Sequence, residues 1–143
     1  MKIALDTNVL ISASFWKGDS YKILQLIDKN LLSLVLSPAI LEEYYKVLHS
    51  VEISDKITEN KLNLDLLATK VLLHTEIVYP KQKINAIPDD PDDDKIIECA
   101  VEGKVDYIIT QDNHLLKLDH FNQIKILKPG ELLGIMEEKA GLK

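Results

Sequence analysis

Lys2-Ile3-Ala4-Leu5-Asp6-Thr7-Asn8 is an apolar run that stops abruptly at polar residues. Such a run has the length of a buried strand, and an aspartate at the carboxyl end of a parallel strand points into the crevice where open α/β sheets place their ligands. Asp, Thr and Asn are equally good helix caps, so Asp6 taken alone is open to either use. A second stretch of the same design, Tyr107-Ile108-Ile109-Thr110-Gln111-Asp112, changes the balance. If the two strands are neighbours, Asp6 and Asp112 converge on one rim. Two strand-terminal aspartates in one small sheet favour a site over a pair of caps, although Asp112 also stands where it would cap the next helix.

Working outward, short β-like runs alternate with longer helical patterns, the signature of a parallel sheet covered by helices. The strands are expected at Lys2 to Asp6, Leu32 to Leu36, Glu76 to Val78, Tyr107 to Thr110 and Ile124 to Leu127. Helices are expected at Asn8 to Ser14, Ser20 to Lys29, Pro38 to Val51, Leu62 to His74, Pro91 to Glu102 and Asn113 to Leu118, with a last one after Pro129-Gly130. Together they describe an α/β fold built on one doubly wound layer. Ser37-Pro38 places a capping hydroxyl before a proline at the first helical position, and Asp90-Pro91 repeats the device. Gly103 suits a left-handed C-terminal cap. Tyr79 to Pro88 has no periodicity and reads as a loop.

The chain has 143 residues, 46% of them hydrophobic and 28% charged, which is enough to bury one core and is far from disordered compositions. No apolar run reaches the roughly 20 residues of a membrane-spanning helix, and the opening lacks the pattern of a signal peptide, so a cytoplasmic location is expected. The single Cys99 lies among apolar residues of a helical pattern and reads as packing. A net charge of −6 argues against coating nucleic acid by bulk electrostatics. It is compatible with a metal-dependent nuclease, whose acids attract phosphate once divalent cations fill the site.

The acidic run Asp89 to Asp94 precedes the helix Lys95-Ile96-Ile97-Glu98-Cys99-Ala100-Val101. Acids at a helix start are favoured by the macrodipole, and most of this run needs no other explanation. Ile96, Ile97, Ala100 and Val101 define a buried stripe that Asp93 continues past the helix start, with Asp94 to the side. Asp93 is therefore the expected member of a cluster, and Asp90 and Asp94 are outer or capping groups. On the helix opened by Ser37-Pro38, Glu43 flanks the apolar row of Ile40, Tyr44, Val47 and Val51 while Glu42 points away. Acids gathered in one crevice repel each other unless a cation compensates them, and an all-oxygen ligand set selects Mg²⁺ or Mn²⁺. His49, His74, His114 and His120 are dispersed; His114, two residues after Asp112, has the best claim to lie near the site.

The set Asp6-Thr7-Asn8-Val9-Leu10-Ile11, then Glu43 with Val47-Leu48, then Asp90-Pro91-Asp92-Asp93 leading to Ala100, then Thr110-Gln111-Asp112 with Leu115-Leu116, resembles the PIN domain in order and across nearly the whole chain. It is most similar to the stand-alone prokaryotic branch of toxins in toxin-antitoxin systems related to VapC. The resemblance implies residues 1–143 as one nuclease domain, with a Rossmann-like sheet of about five strands ordered 3-2-1-4-5. It implies Mg²⁺- or Mn²⁺-dependent endoribonuclease activity, an RNA substrate, a cognate antitoxin and a homodimer. Dimerisation is also suggested by the aliphatic richness of the second and fourth helices. The acidic quartet would be Asp6, Glu43, Asp93 and Asp112, with Thr7, Asn8 and Thr110 as polar supports. An extra aspartate, Asp94, departs from the family pattern and leaves the choice between Asp93 and Asp94 open. Phe15-Trp16 and Lys17, after the first helix, could meet a single strand by stacking and charge, or serve a plain apolar or dimer contact. Two other readings compete: a phosphatase-like hydrolase, which would need an acid where Asn8 stands, and a non-catalytic interaction module whose acids cap helices and bind a partner.

Overall fold

The protein is described from a computed structural model covering residues 1–50, 69, 71–88 and 90–141. Its order is β1 (Lys2–Leu5), α1 (Thr7–Phe15), α2 (Asp19–Asp28), β2 (Ser33–Leu36), α3 (Pro38–Leu48) and β3 (Thr75–Ile77), then α4 (Asp94–Gly103), β4 (Tyr107–Ile109), α5 (Asn113–Leu118), β5 (His120–Phe121), β6 (Ile124–Leu127) and α6 (Pro129–Lys139). Residues 71–73 are helical and lead into β3. The expected helix from Leu62 to His74, the fourth, otherwise lies outside the described residues, as do Val51 and Asp89. No helix among the described residues is long and apolar enough to cross a membrane.

The sheet runs β3-β2-β1-β4-β6-β5. Its first five strands in that order are parallel, which reproduces the expected 3-2-1-4-5 arrangement. The sixth strand is an addition: His120–Phe121 pairs antiparallel with Lys125 and Ile124 across a turn in which Asn122 takes a positive φ of 53°. Two residues are too short to show periodicity, so only the turn chemistry of Asn122 could have announced this strand.

Strands buried on both faces need continuous apolar runs, and Ile3, Ala4, Leu5, Leu34, Val35, Leu36, Ile108 and Ile109 meet that need in the centre of the core. Helix α4 packs across β2, β1 and β4, while α1 packs against α2 and α3, and α2 against α6. Ser37 caps α3 as expected, its hydroxyl accepting from the Ile40 amide at 3.4 Å. The Tyr44 hydroxyl bonds Ser14 Oγ at 2.8 Å, and Ser14 passes its own proton to the Leu10 carbonyl, which locks α3 onto α1.

Gly103 is corrected from a left-handed cap to a close-approach residue. The left-handed position is Lys104 (φ 52°), whereas a Cβ on Gly103 would lie 2.4 Å from Val35 Cγ1, so glycine is what lets α4 settle onto β2. Cys99 is fully buried, and burial pushes its thiol up to about 11, so it is an inert packing residue.

The aperiodic loop after β3 lies along α4 and is fastened there by three carboxylates at helical i, i+4, i+8 spacing. Glu102 accepts from the Lys81 amide (3.0 Å), Glu98 from the Ile84 amide (2.9 Å), and Asp94 Oδ1 from both the Ala86 and Ile87 amides (2.9 and 2.8 Å). These amides have no sheet or helix to serve them, and the helix supplies acceptors in their place.

Candidate active site at the carboxyl rim of the sheet

Strand register alone brings two of the expected residues together. Leu5 pairs with Ile109, so the next residue of each strand, Asp6 and Thr110, emerge side by side at the switch point between β1 and β4. The Asp6 amide completes the ladder to the Ile109 carbonyl (3.1 Å), and the Thr110 hydroxyl donates to Asp6 Oδ2 (2.9 Å). Thr110 Oγ1 in turn accepts from the Asp112 amide (3.0 Å). One buried hydroxyl thus bonds the side chain of one strand-terminal aspartate and the backbone of the other.

The capping alternative separates the two. Asp6 precedes α1 but makes no side-chain cap. Asp112 does cap α5, with Oδ1 accepting from the amides of His114 (2.8 Å) and Leu115 (3.4 Å).

Asp93 completes the centre. Residues Pro91–Asp93 form a 3-10 turn ahead of α4, and one oxygen of the Asp93 carboxylate, Oδ2, is sealed from solvent with no hydrogen-bond partner among the described residues. Burial, with the charges of Asp112, Asp90 and Asp6 and a carboxyl–carboxyl hydrogen bond with Asp112 that favours the protonated form, raises its pKa from 3.8 to about 7. Asp6 is raised too, by burial above all and by Glu43 and Asp112, against the lowering effect of the Thr110 hydroxyl and the Thr7 amide.

The neighbouring Asp94 is turned to the loop along α4. It is the more buried of the pair, at 6% exposure, contrary to the stripe argument. Asp93 belongs to the 3-10 turn, so α-helical spacing from Ile96 does not reach it, and the loop along α4 covers the Asp94 side.

Glu43 reaches the site from α3, as expected over the exposed Glu42. Burial opposes its ionisation, but the Lys95 ammonium, with which it forms an ion pair, and the Thr7 hydroxyl outweigh burial and hold its pKa below the ordinary value. Lys95 was missed in the sequence. Its position two residues after Asp93, on the helix that faces α3, was the available signal. Asn8 is exposed and makes no hydrogen bond to the acids among the described residues.

The tightest group that could hold an ion comprises Asp90, Asp93, Asp112 and His114, each offering one ligand atom, all within 4.8 Å of one another. His114 Nδ1 lies 3.8 Å from Asp112 Oδ1 and 4.0 Å from Asp90 Oδ2. Asp6 and Glu43 stand outside this group but share its field. A partnerless, enclosed carboxylate oxygen among further acids is what a divalent cation would satisfy, and oxygen donors suit Mg²⁺ or Mn²⁺, so the residues fit such an ion.

The fold and the family are shared with known proteins. A chain in the crystal structure of VapBC2 from Rickettsia felis bound to a DNA fragment from their promoter superposes with a TM-score of 0.57 at 18% identity, over 88% of this chain and 97% of that one, and shares the fold. No curated protein matches the sequence. The family model of the PIN domain matches residues 2–114, which span the rim from Asp6 to Asp112 and His114. The chain belongs to the PIN domain family.

Proposed function

We propose that the protein is a divalent-metal-dependent endoribonuclease, one nuclease domain over residues 1–143, acting in the cytoplasm as the toxin of a toxin-antitoxin pair. The observation that carries the catalytic part is Asp93 Oδ2, enclosed and without a donor beside Asp112 and Asp90. Helix capping accounts for Asp112 Oδ1 and backbone fastening accounts for Asp94, but neither accounts for Asp93. The non-catalytic module therefore leaves the centre of the site unexplained. The phosphatase-like reading lacks its second acid, because the exposed Asn8 stands at that position.

Asp93 and Asp112 would hold the ion, with Asp90 and His114 in reach and Asp6 and Glu43 completing the acidic surroundings. Bound Mg²⁺ or Mn²⁺ would polarise a phosphodiester and acidify a water. The chain's own residues set the stage: Thr110 fixes the Asp6 carboxylate and the Asp112 backbone, the His114 and Leu115 amides hold the Asp112 carboxylate, and Lys95 holds Glu43 at the rim. In the metal-free protein the pKa of the Asp93 carboxyl is raised to about 7 by burial and its acidic neighbours, so a bound cation would also relieve that repulsion.

The toxin role is supported by PIN family membership and by the fold shared with a chain of VapBC2. On this reading an antitoxin covers the rim and the active form is a homodimer. Incubation of pooled single-stranded RNA with the wild-type protein in EDTA, Mg²⁺ or Mn²⁺ tests the enzyme. Cleavage confined to the metal-containing samples and absent from Asp112→Asn is expected. Cleavage in EDTA, or undiminished cleavage by the variant, would refute it.

A further inference from the structure

We infer that a cleft beside the acidic rim, of about 210 Å³ and lined by Ser12, Trp16, Gly18, Asp19, Ser20 and Gln111, is a subsite for one unpaired nucleobase of the substrate strand. The inference rests on the nuclease reading and deepens it, by naming the residues that grip the strand next to the scissile bond.

Position is the first ground. Gln111 lies between Thr110 and Asp112, so the cleft opens directly beside the residues that would meet the phosphate.

The second is the wall. Trp16 is 45% exposed, so part of a large aromatic ring remains accessible to a ligand. The Trp16 backbone N–H bonds the Ser12 carbonyl at 3.0 Å, and the ring stands edge-on to the half-buried Phe15, with centroids 5.9 Å apart and planes at 74°. An aromatic face held in this way is a platform for a base, since stacking is open to every base.

Space is the third. A Cβ built on Gly18 meets no heavy atom within 4 Å, so the cleft has open space beside Gly18.

Charge decides the class of occupant. Asp19 lines the cleft, with its Oδ2 3.0 Å from the point where a Gly130 Cβ would sit at the start of α6. A carboxylate repels a phosphate and accepts from the N–H groups on a base edge, and the Gln111 amide can both donate and accept. The cleft therefore suits the ring and not the backbone. Asp19 and Gln111 also border the next groove, where Asn113, Lys128 and Gly130 lie, so the strand has a continuous path past the base.

Trp16 is the single tryptophan of the chain, so its fluorescence reads the cleft directly. Asp112→Asn protein, which leaves RNA intact, is titrated with a mixed-sequence single-stranded RNA heptamer in Mg²⁺. Saturable quenching is expected, weakened about tenfold or more by Gly18→Leu, which fills the cleft while keeping the indole; the backbone there is extended and accepts any residue. In the cleaving protein, Trp16→Ala should raise KM about tenfold with kcat changed little, and Trp16→Phe should restore most of the loss. Unquenched fluorescence, or equal KM in Trp16→Ala, while RNA is still cut would overturn this inference and leave the nuclease standing. Quenching that Gly18→Leu weakens, in a protein that cuts no RNA under any metal, would keep the base subsite and remove the nuclease.

Discussion

Two sets of acids meet at the start of α4 and do opposite work. Asp94, Glu98 and Glu102 run down one side of the helix, and each accepts hydrogen bonds from backbone amides of the loop at 81–87. Asp93, one residue before Asp94, faces Asp112 and Asp90 with an enclosed oxygen that no amide, hydroxyl or ammonium among the described residues serves. The first set stabilises the fold because its charges find donors. The second costs stability because its charges find each other, and a cation is the natural compensation. What separates Asp93 from Asp94 here is the presence of donors, more than depth of burial or sequence spacing.

Substitutions should divide along that line. The largest effect is expected from Asp112→Asn, which should lower RNA cleavage by about a thousandfold or more, several kcal/mol of transition-state stabilisation, in single-turnover assays, while the cap retained by Asn keeps the fold. Asp94→Ala should leave two amides without an acceptor and reduce unfolding free energy by about 2–5 kcal/mol in urea titrations, with activity per folded molecule reduced far less. If Asp94→Ala abolished cleavage at full stability, the division would be wrong.

Asp93→Asn sharpens the contrast through pH. The native pKa, about 7, lies above the unfolded 3.8, so between these values the native state holds a proton that the unfolded state has lost. The stabilisation linked to this proton is complete below about 3.8 and fades as pH rises through about 7, leaving an ionised Asp93 among like charges. Metal-free Asp93→Asn should therefore melt higher than wild type at pH 8, with the gap closing toward pH 5; a variant less stable than wild type at pH 8 would contradict the electrostatics. The smallest effects belong to the far end of the ladder. Glu98→Ala should cost about 1 kcal/mol, and Glu102→Ala, on an exposed hydrogen bond, within about 0.5 kcal/mol.

Much of this was legible in the residues. Apolar strands closed by Asp6 and by Thr110 announced both the sheet and its active rim, because burial on both faces demands apolar runs and the crevice lies at their carboxyl ends. Glu43 was separable from Glu42 by helical phase alone. Phase failed at Asp93 and Asp94, where a 3-10 turn interrupts the α period and a loop with no pattern of its own covers one side. The same loop hid the meaning of Asp94, Glu98 and Glu102, whose spacing is visible in the sequence but whose donors are not. Lys95 and Gly103 answer to partners more than 50 residues away, Glu43 and Val35, which no local pattern identifies.

The most direct test is calorimetric titration of the metal-free protein with Mn²⁺ at pH 7.5, comparing wild type with Asp93→Asn and Asp94→Asn. Saturable binding to wild type and to Asp94→Asn, lost or weakened at least tenfold in Asp93→Asn, is the predicted result. Undetectable binding to wild type, or binding that Asp93→Asn retains in full, would contradict it.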